Sequence, residues 1–386
     1  MVSTVVNAKI YSRGKFLLGN ITVENGIIKA IGDQVEGEIF DAKGKIATAG
    51  FIDINTDGGW GKDCMEANTQ TIDTICRYHL FTGTTTFAPT TMTASVEDIN
   101  IAVDNIRKYK SKFSRIAGAH LEGPYLASKS AGAHPPHLLI TPDSCDSFVW
   151  DNIDIVKRIT LAPNLSGTAE FCKKATEKGI QISLGHDDSI DDEIYACLAN
   201  GANSVTHIYN CTSRPSRRGT PKKHLGLTEV GLIEENVVAE VIADGRHVPD
   251  KLFSMIYKLK GSKGICLVSD SLSVAGMPQG DYYLGSGESK QKIRIDDGVA
   301  ILPDLNTYAG SITSVGKMVE RLVEQGYALE ECVDMCTKTP ARLLGRNDIG
   351  DIAIGMLGDI NILDEKGRIC ATLLGGEVVD KEALKI

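Results

Sequence analysis

The sequence predicts an α/β protein: a (β/α)8 TIM barrel with a small β-sandwich domain formed by both chain termini. Three observations predict it. Short apolar runs ending in polar or small residues recur through the middle of the chain. Stretches with helical spacing separate them, and the two ends read as hairpins with glycine and asparagine at the turns.

Eight runs are read as barrel strands: Ile52–Asp57, Thr84–Thr90, Ile116–Glu122, Ile159–Pro163, Ile180–His186, Ser204–His207, Val237–Asp244 and Gly264–Asp270. Near-continuous apolar runs suit parallel strands covered on both faces. The pieces between them, such as AEFCKKATEKG (169–179) and IDDEIYACLANG (190–201), look like amphipathic helices closed by glycine. Eight such units in roughly 300 residues fit a closed barrel. The alternative, an open doubly wound sheet, wants a glycine-rich phosphate loop after the first strand, and no G-x-G-x-x-G stands there. The expected division is 1–48 plus 348–386 for the small β domain and 49–347 for the barrel. A polar loop near 286–297 suits a hairpin.

Composition narrows the function. The 386 residues carry a net charge of −9, which argues against a nucleic-acid surface. The ten cysteines form no C-x-x-C pair and no short secreted framework, so a reducing cytoplasm is expected. No run reaches the roughly 18 apolar residues of a membrane span, and the first residues show no leader pattern.

In a (β/α)8 barrel the chemistry lies at the C-terminal ends of the strands. Those ends carry Glu122, His186, His207, Asp244 and Asp270. One carboxylate with two imidazoles is a common hydrolytic zinc set that leaves a fourth position for water. Each histidine alone reads equally well as structural; together at successive strand ends they form a constellation. Asp270 suits a general base and then a general acid, although an aspartate there also suits a helix N-cap. His134 and His247 lie in loops on the same face, where an imidazole can donate to a carbonyl or an anion. The run TSRPSRRGTPKKH (212–224) follows the sixth strand, and arginine in such a loop suits phosphate, or merely solvent. The first strand ends in Asp53, Asn55 and Asp57 within GFIDINTDGGWG, with no histidine.

Six pieces in order, HLEGPYLASKSAGAHPPHL, GIQISLGHDDS, VTHIYN, EVIADGRHV, LVSDSLSVAGMPQGDYYLG and YAGSIT, resemble the amidohydrolase superfamily, and more closely its N-acetylglucosamine-6-phosphate deacetylases. The resemblance implies hydrolysis of the acetamide of N-acetylglucosamine 6-phosphate to acetate and glucosamine 6-phosphate. It implies Glu122, His186 and His207 as ligands of one divalent metal, Zn²⁺ or Fe²⁺, Asp270 as the acid/base, and His134 as the group that polarises the carbonyl. It places Ala133, Asn210, Cys211, Arg218, His247 and Tyr308 at the substrate, Arg218 and His247 on its phosphate. One of those two usually comes from a neighbouring subunit, so a homodimer is expected. Two departures stand out. The phosphate loop reads HIYNCTSRPSRRGTP, which leaves N-acetylgalactosamine 6-phosphate, or another N-acyl amino sugar phosphate, as an alternative substrate; a non-catalytic phosphosugar binder is a further one. Asn55 and Asp57 stand where many superfamily members carry the His-x-His of a second metal, so a single metal is expected.

Overall fold

The computed structural model describes residues 1–66, 68–285, 290–304 and 307–385. Eight parallel strands form the barrel: β1 (Phe51–Thr56), β2 (Thr84–Thr91), β3 (Ala119–Glu122), β4 (Val156–Leu161), β5 (Gln181–Leu184), β6 (Ser204–Val205), β7 (Val238–Val241) and β8 (Ile265–Leu267). Each pairs with the next in chain order. Closure comes at the mouth, where the Asp270 N–H donates to the Asn55 carbonyl at 2.9 Å and Thr56 bridges Ser271. All eight predicted runs therefore fall on barrel strands.

The helices form where local signals agree with tertiary burial. The helix Val96–Lys108 starts at Ser95, whose hydroxyl accepts the Asp98 N–H. It carries Glu97 and Asp98 in its first turn and Arg107 and Lys108 in its last, as the helix dipole favours. Its buried stripe is Ile99, Ala102, Val103 and Ile106, spaced three and four apart. Thr168–Glu177 and Asp191–Ala199 cover the two helical stretches read from the sequence.

Residues from both termini share one eight-stranded sheet. Its first strand, Val2–Ser12, pairs antiparallel with Lys15–Glu24 and parallel with Glu38–Asp41 and Ile46–Ala49. Ile46–Ala49 in turn pairs with Ile360–Leu363 from the far end of the chain. This sheet has its own apolar cluster, built on Val5, Ile10, Ile21, Ile28, Ile360, Ile362 and Leu373.

Under the mouth the barrel is filled by polar groups that satisfy one another. Arg158, fully buried, meets Glu240 at 2.5 Å and Gln181 at 2.6 Å. His120 is bracketed by the hydroxyls of Thr90 and Thr160 at 3.1 and 2.8 Å. Pairing of this kind offsets the cost of burying most of these groups, although Arg158 Nε, Asp53 Oδ2 and both polar side-chain atoms of Asn55 have no partner.

One element goes beyond the sequence reading. After β8 the chain makes an antiparallel sheet of Gly280–Leu284, Gln291–Asp296, Val299–Leu302 and Thr307–Gly310. The hairpin suspected near 286–297 is part of it; residues 286–289 lie outside the described residues. Its strands are four to six residues long, which leaves little length for a period to show. Among the described residues no helix is long and apolar enough to cross a membrane.

Candidate active site

Three donors converge at the barrel mouth. Glu122 is the last residue of β3, and His186 and His207 follow β5 and β6 by two residues. Glu122 Oε1 lies 3.0 Å from His186 Nε2 and 2.9 Å from His207 Nε2, and the two Nε2 atoms are 3.2 Å apart. The far nitrogens are already engaged: His186 Nδ1 faces the Ser130 carbonyl at 2.8 Å and His207 Nδ1 faces the Asn210 carbonyl at 3.1 Å. A carbonyl only accepts, so both Nδ1 atoms carry the proton. In the neutral rings both Nε2 atoms are then lone pairs, aimed with a carboxylate oxygen at one point. Ligands about 2.0–2.1 Å from a tetrahedral zinc stand about 3.3 Å from one another. The donor set and its spacing therefore fit one divalent cation, and the backbone carbonyls supply the outer support that metal-binding imidazoles need.

The carboxylate and the imidazoles shift one another's titration. Burial pulls the His207 imidazole down, but the Glu122 charge and hydrogen bond outweigh it and push it up to about 9. Glu122 goes the other way: burial raises it, and the two imidazoles together hold it well below the usual carboxylate range.

Asp270 follows β8 and faces the same cavity. Burial raises its carboxyl above the ordinary range although His207 and His247 pull it down. His134 stands opposite, its Nε2 3.9 Å from Glu122 Oε1. Its Nδ1 accepts the Thr93 backbone N–H at 3.2 Å, which leaves the proton on Nε2, facing the cavity. Burial, then the neighbouring His186, lowers its imidazole to about 3, so it is a neutral donor. Gly123, directly after Glu122, turns the chain at φ +86°, and a Cβ there would sit 2.2 Å from Thr93 Oγ1, the other partner of His134 Nδ1.

These residues share one cavity with Asp57, Ala133, Asn210, Cys211, His247 and Tyr308. Several non-glycine residues of the mouth adopt left-handed backbone, His186 at φ 47°, His207 at 28°, Cys211 at 54° and Asp270 at 47°, as do residues elsewhere such as Asn7 and Asn25. Such conformations persist where the surroundings enforce them, and they cluster at functional sites.

The amidohydrolase family model matches residues 46–379. The chain belongs to the amidohydrolase family. It is 30% identical to the N-acetylglucosamine-6-phosphate deacetylase of Haemophilus influenzae, over 98% of this chain and 99% of that protein. It is 30% identical to the N-acetylgalactosamine-6-phosphate deacetylase of Shewanella sp. strain ANA-3, over 86% of this chain and 82% of that protein. The crystal structure of N-acetylglucosamine-6-phosphate deacetylase from Pasteurella multocida matches with a TM-score of 0.89 and 28% identity, covering 98% of this chain and 100% of that one.

Not every predicted residue of this amidohydrolase reaches the cavity. Arg218 lies in an exposed loop, with its guanidinium 3.0 Å from Glu193 and against the Asp188 carbonyl, outside the lining of this chain's own cavity. Asp244 is also absent from the lining; it sits behind His247. Asn55 is fully buried, and neither of its side-chain polar atoms has a partner. Asp57 does face the cavity, its carboxyl driven well above the ordinary range by burial and then by Asp270 and Glu122. Sequence reasoning missed Thr93, two residues past β2, whose strand-end position was the available signal. It also missed Met92, Leu272 and Leu284 in the lining; as ordinary apolar residues they carried no signal.

Proposed function

We propose that this amidohydrolase deacetylates N-acetylglucosamine 6-phosphate, giving acetate and glucosamine 6-phosphate. The observation that carries the reading is the convergence in one cavity of a cation-binding triad, a carboxylate and a neutral imidazole donor. Glu122, His186 and His207 would hold one divalent ion, Zn²⁺ by preference and Fe²⁺ as the alternative. When bound, that ion supplies Lewis acidity, polarising the amide carbonyl and lowering the pKa of water to about 7. The chain's own groups do the rest. Asp270 takes a proton from the attacking water and later delivers it to the departing amine nitrogen. His134 Nε2–H donates to the carbonyl oxygen as it gains negative charge. Ala133 binds the substrate, Tyr308 lines the pocket for the sugar and its acetyl group, and Asn210 and Cys211 contact the sugar phosphate, while His247 meets the phosphate and fixes the amide over Asp270.

Because His247 lines its own chain's cavity and Arg218 does not, we assign the second phosphate contact to the partner subunit's Arg218 in a homodimer. We read 49–347 as the catalytic barrel and 1–48 plus 348–386 as the small β domain. Ten unpaired cysteines suit a cytoplasmic enzyme.

A second reading, N-acetylgalactosamine 6-phosphate, is favoured by the altered run 211–224 and by the Shewanella relative. Acetate release from both 6-phosphates, measured beside the metal content of the same preparation, tests the proposal. The glucosamine reading requires one metal per chain and higher kcat/KM on the gluco epimer. Higher kcat/KM on the galacto epimer moves the assignment to the second reading, and no acetate from either refutes both.

A further inference from the structure

Asp244 was singled out by its strand-end position, yet the reaction above gives it no task. Its carboxylate is engaged on both oxygens. Oδ1 accepts the backbone N–H groups of Arg246 and His247 at 2.8 Å each, and Oδ2 accepts His247 Nδ1–H at 2.7 Å. Both side chains are buried, at 3% and 5% exposure. Burial raises the Asp244 carboxyl, but the His247 hydrogen bond and charge more than offset that, so it stays ionised. The far face of the His247 ring rests on Tyr308, with centroids 5.0 Å apart, and Asp270 approaches from the eighth strand. The Arg246 guanidinium is turned away to Asp297, 2.7 Å distant. Held at Nδ1 and packed on Tyr308, the ring has Nε2 left for the cavity.

That cavity has a charge problem. Among its described lining residues are three carboxylates, Asp57, Glu122 and Asp270, and no lysine or arginine. His134 is neutral, and His186 and His207 face each other and Glu122. Among the described lining residues, only His247 has one ring nitrogen on a carboxylate behind it and the other left for a ligand.

We propose that Asp244 is a positioning residue for anion binding: it locks His247 with Nδ1 protonated, so that a bound phosphate monoester at Nε2 is met by an imidazolium. Both flanking groups, the Asp244 carboxylate and the phosphate oxygen, only accept hydrogen bonds. The doubly protonated ring is the one form that satisfies both. This inference rests on the proposed phosphosugar site, but it can be tested by binding without turnover.

The probes are glucosamine 6-phosphate and glucosamine, titrated into the metal-loaded wild type and into Asp244→Asn, His247→Ala and the double variant. In Asp244→Asn the amide donates to Nδ1, the ring stays neutral, and charge assistance is lost. Affinity for glucosamine 6-phosphate should fall about 10- to 100-fold, the range of a charge-assisted hydrogen bond, with KM rising in parallel. In the His247→Ala background Asp244→Asn should add nothing, because it acts through the ring; equal losses in both backgrounds would show a merely structural role and overturn the inference. Wild-type ¹⁵N spectra make the test independent of any variant's folding. On adding glucosamine 6-phosphate both His247 ring nitrogens should move to protonated shifts, and a neutral ring in the complex overturns the proposal. Equal affinity for glucosamine and its 6-phosphate overturns it too. Phosphate-dependent binding without acetate release would sink the deacetylase reading and leave this one standing.

Discussion

Two parts of the same barrel mouth are equipped in opposite ways. After β5 and β6, His186 and His207 have one ring nitrogen tied to a backbone carbonyl and the other aimed at Glu122. At the end of β1, Asn55 is buried with both polar atoms unpartnered, and Asp57 faces the cavity next to charges of its own sign. Both regions offer donor atoms. Only the first has supports that fix tautomer and direction, and only there do the donors stand at the spacing a cation requires. Donor identity is thus insufficient: a metal site is a set of donors already held by something else.

This contrast can be broken by mutation, the largest effect first. Replacing a supported ligand, His186→Asn, should take metal content well below one per chain. Turnover should fall about 10³-fold or more, as expected when several kcal/mol of charge stabilisation is removed. Near-stoichiometric metal in that variant would remove the distinction between the two regions. Asp270→Asn separates holding from chemistry. One metal per chain should remain while acetate release drops about 10²- to 10⁴-fold; near-normal turnover would end the acid/base assignment.

Metal removal sharpens the contrast through pH. Burial lowers the His207 imidazole of the ion-free fold, but the Glu122 charge pushes it up to about 9, above its ordinary 6.5. The native state then binds the proton more tightly than the unfolded chain, so this stabilisation is complete below 6.5 and is lost as pH rises through 9. The Tm of chelator-stripped protein should therefore fall from pH 6.5 to 9. Metal-loaded protein should not show that loss, because the ion replaces the proton between the donors. Parallel melting curves for the two forms over this window would contradict the assignment. The smallest effect belongs to β1: Asn55→Ala should leave one metal per chain and change kcat only a few-fold, since the lost amide holds nothing. Two ions per wild-type chain in excess zinc, reduced to one by Asp57→Asn, would show that β1 is a second metal site after all.

Much of this was legible in the sequence, for a physical reason. A parallel strand covered on both faces must be apolar along its length, so the polar residue where it stops is conspicuous; Glu122, His186, His207 and Asp270 stand out that way, and the fold brings them to one cavity. Of the antiparallel sheet after β8 only the hairpin near 286–297 was suspected, because strands as short as the five residues of Gly280–Leu284 give a period little length in which to show. Arg218 illustrates a different limit. Its residue type suits phosphate, but where its loop lies is decided by tertiary contacts with Glu193 and Asp188, which no local pattern encodes. Asp244 was visible as a strand end and His247 as a loop histidine, while the hydrogen bond that joins them shows only in the fold.

The left-handed backbone at His186, His207 and Asp270 has an evolutionary consequence. Glycine is the residue that occupies such φ values without steric cost, so at these positions the proposed chemistry and thermal tolerance pull in opposite directions. A population screened only for heat resistance would drift toward Asp270→Gly, a protein that melts later and releases no acetate.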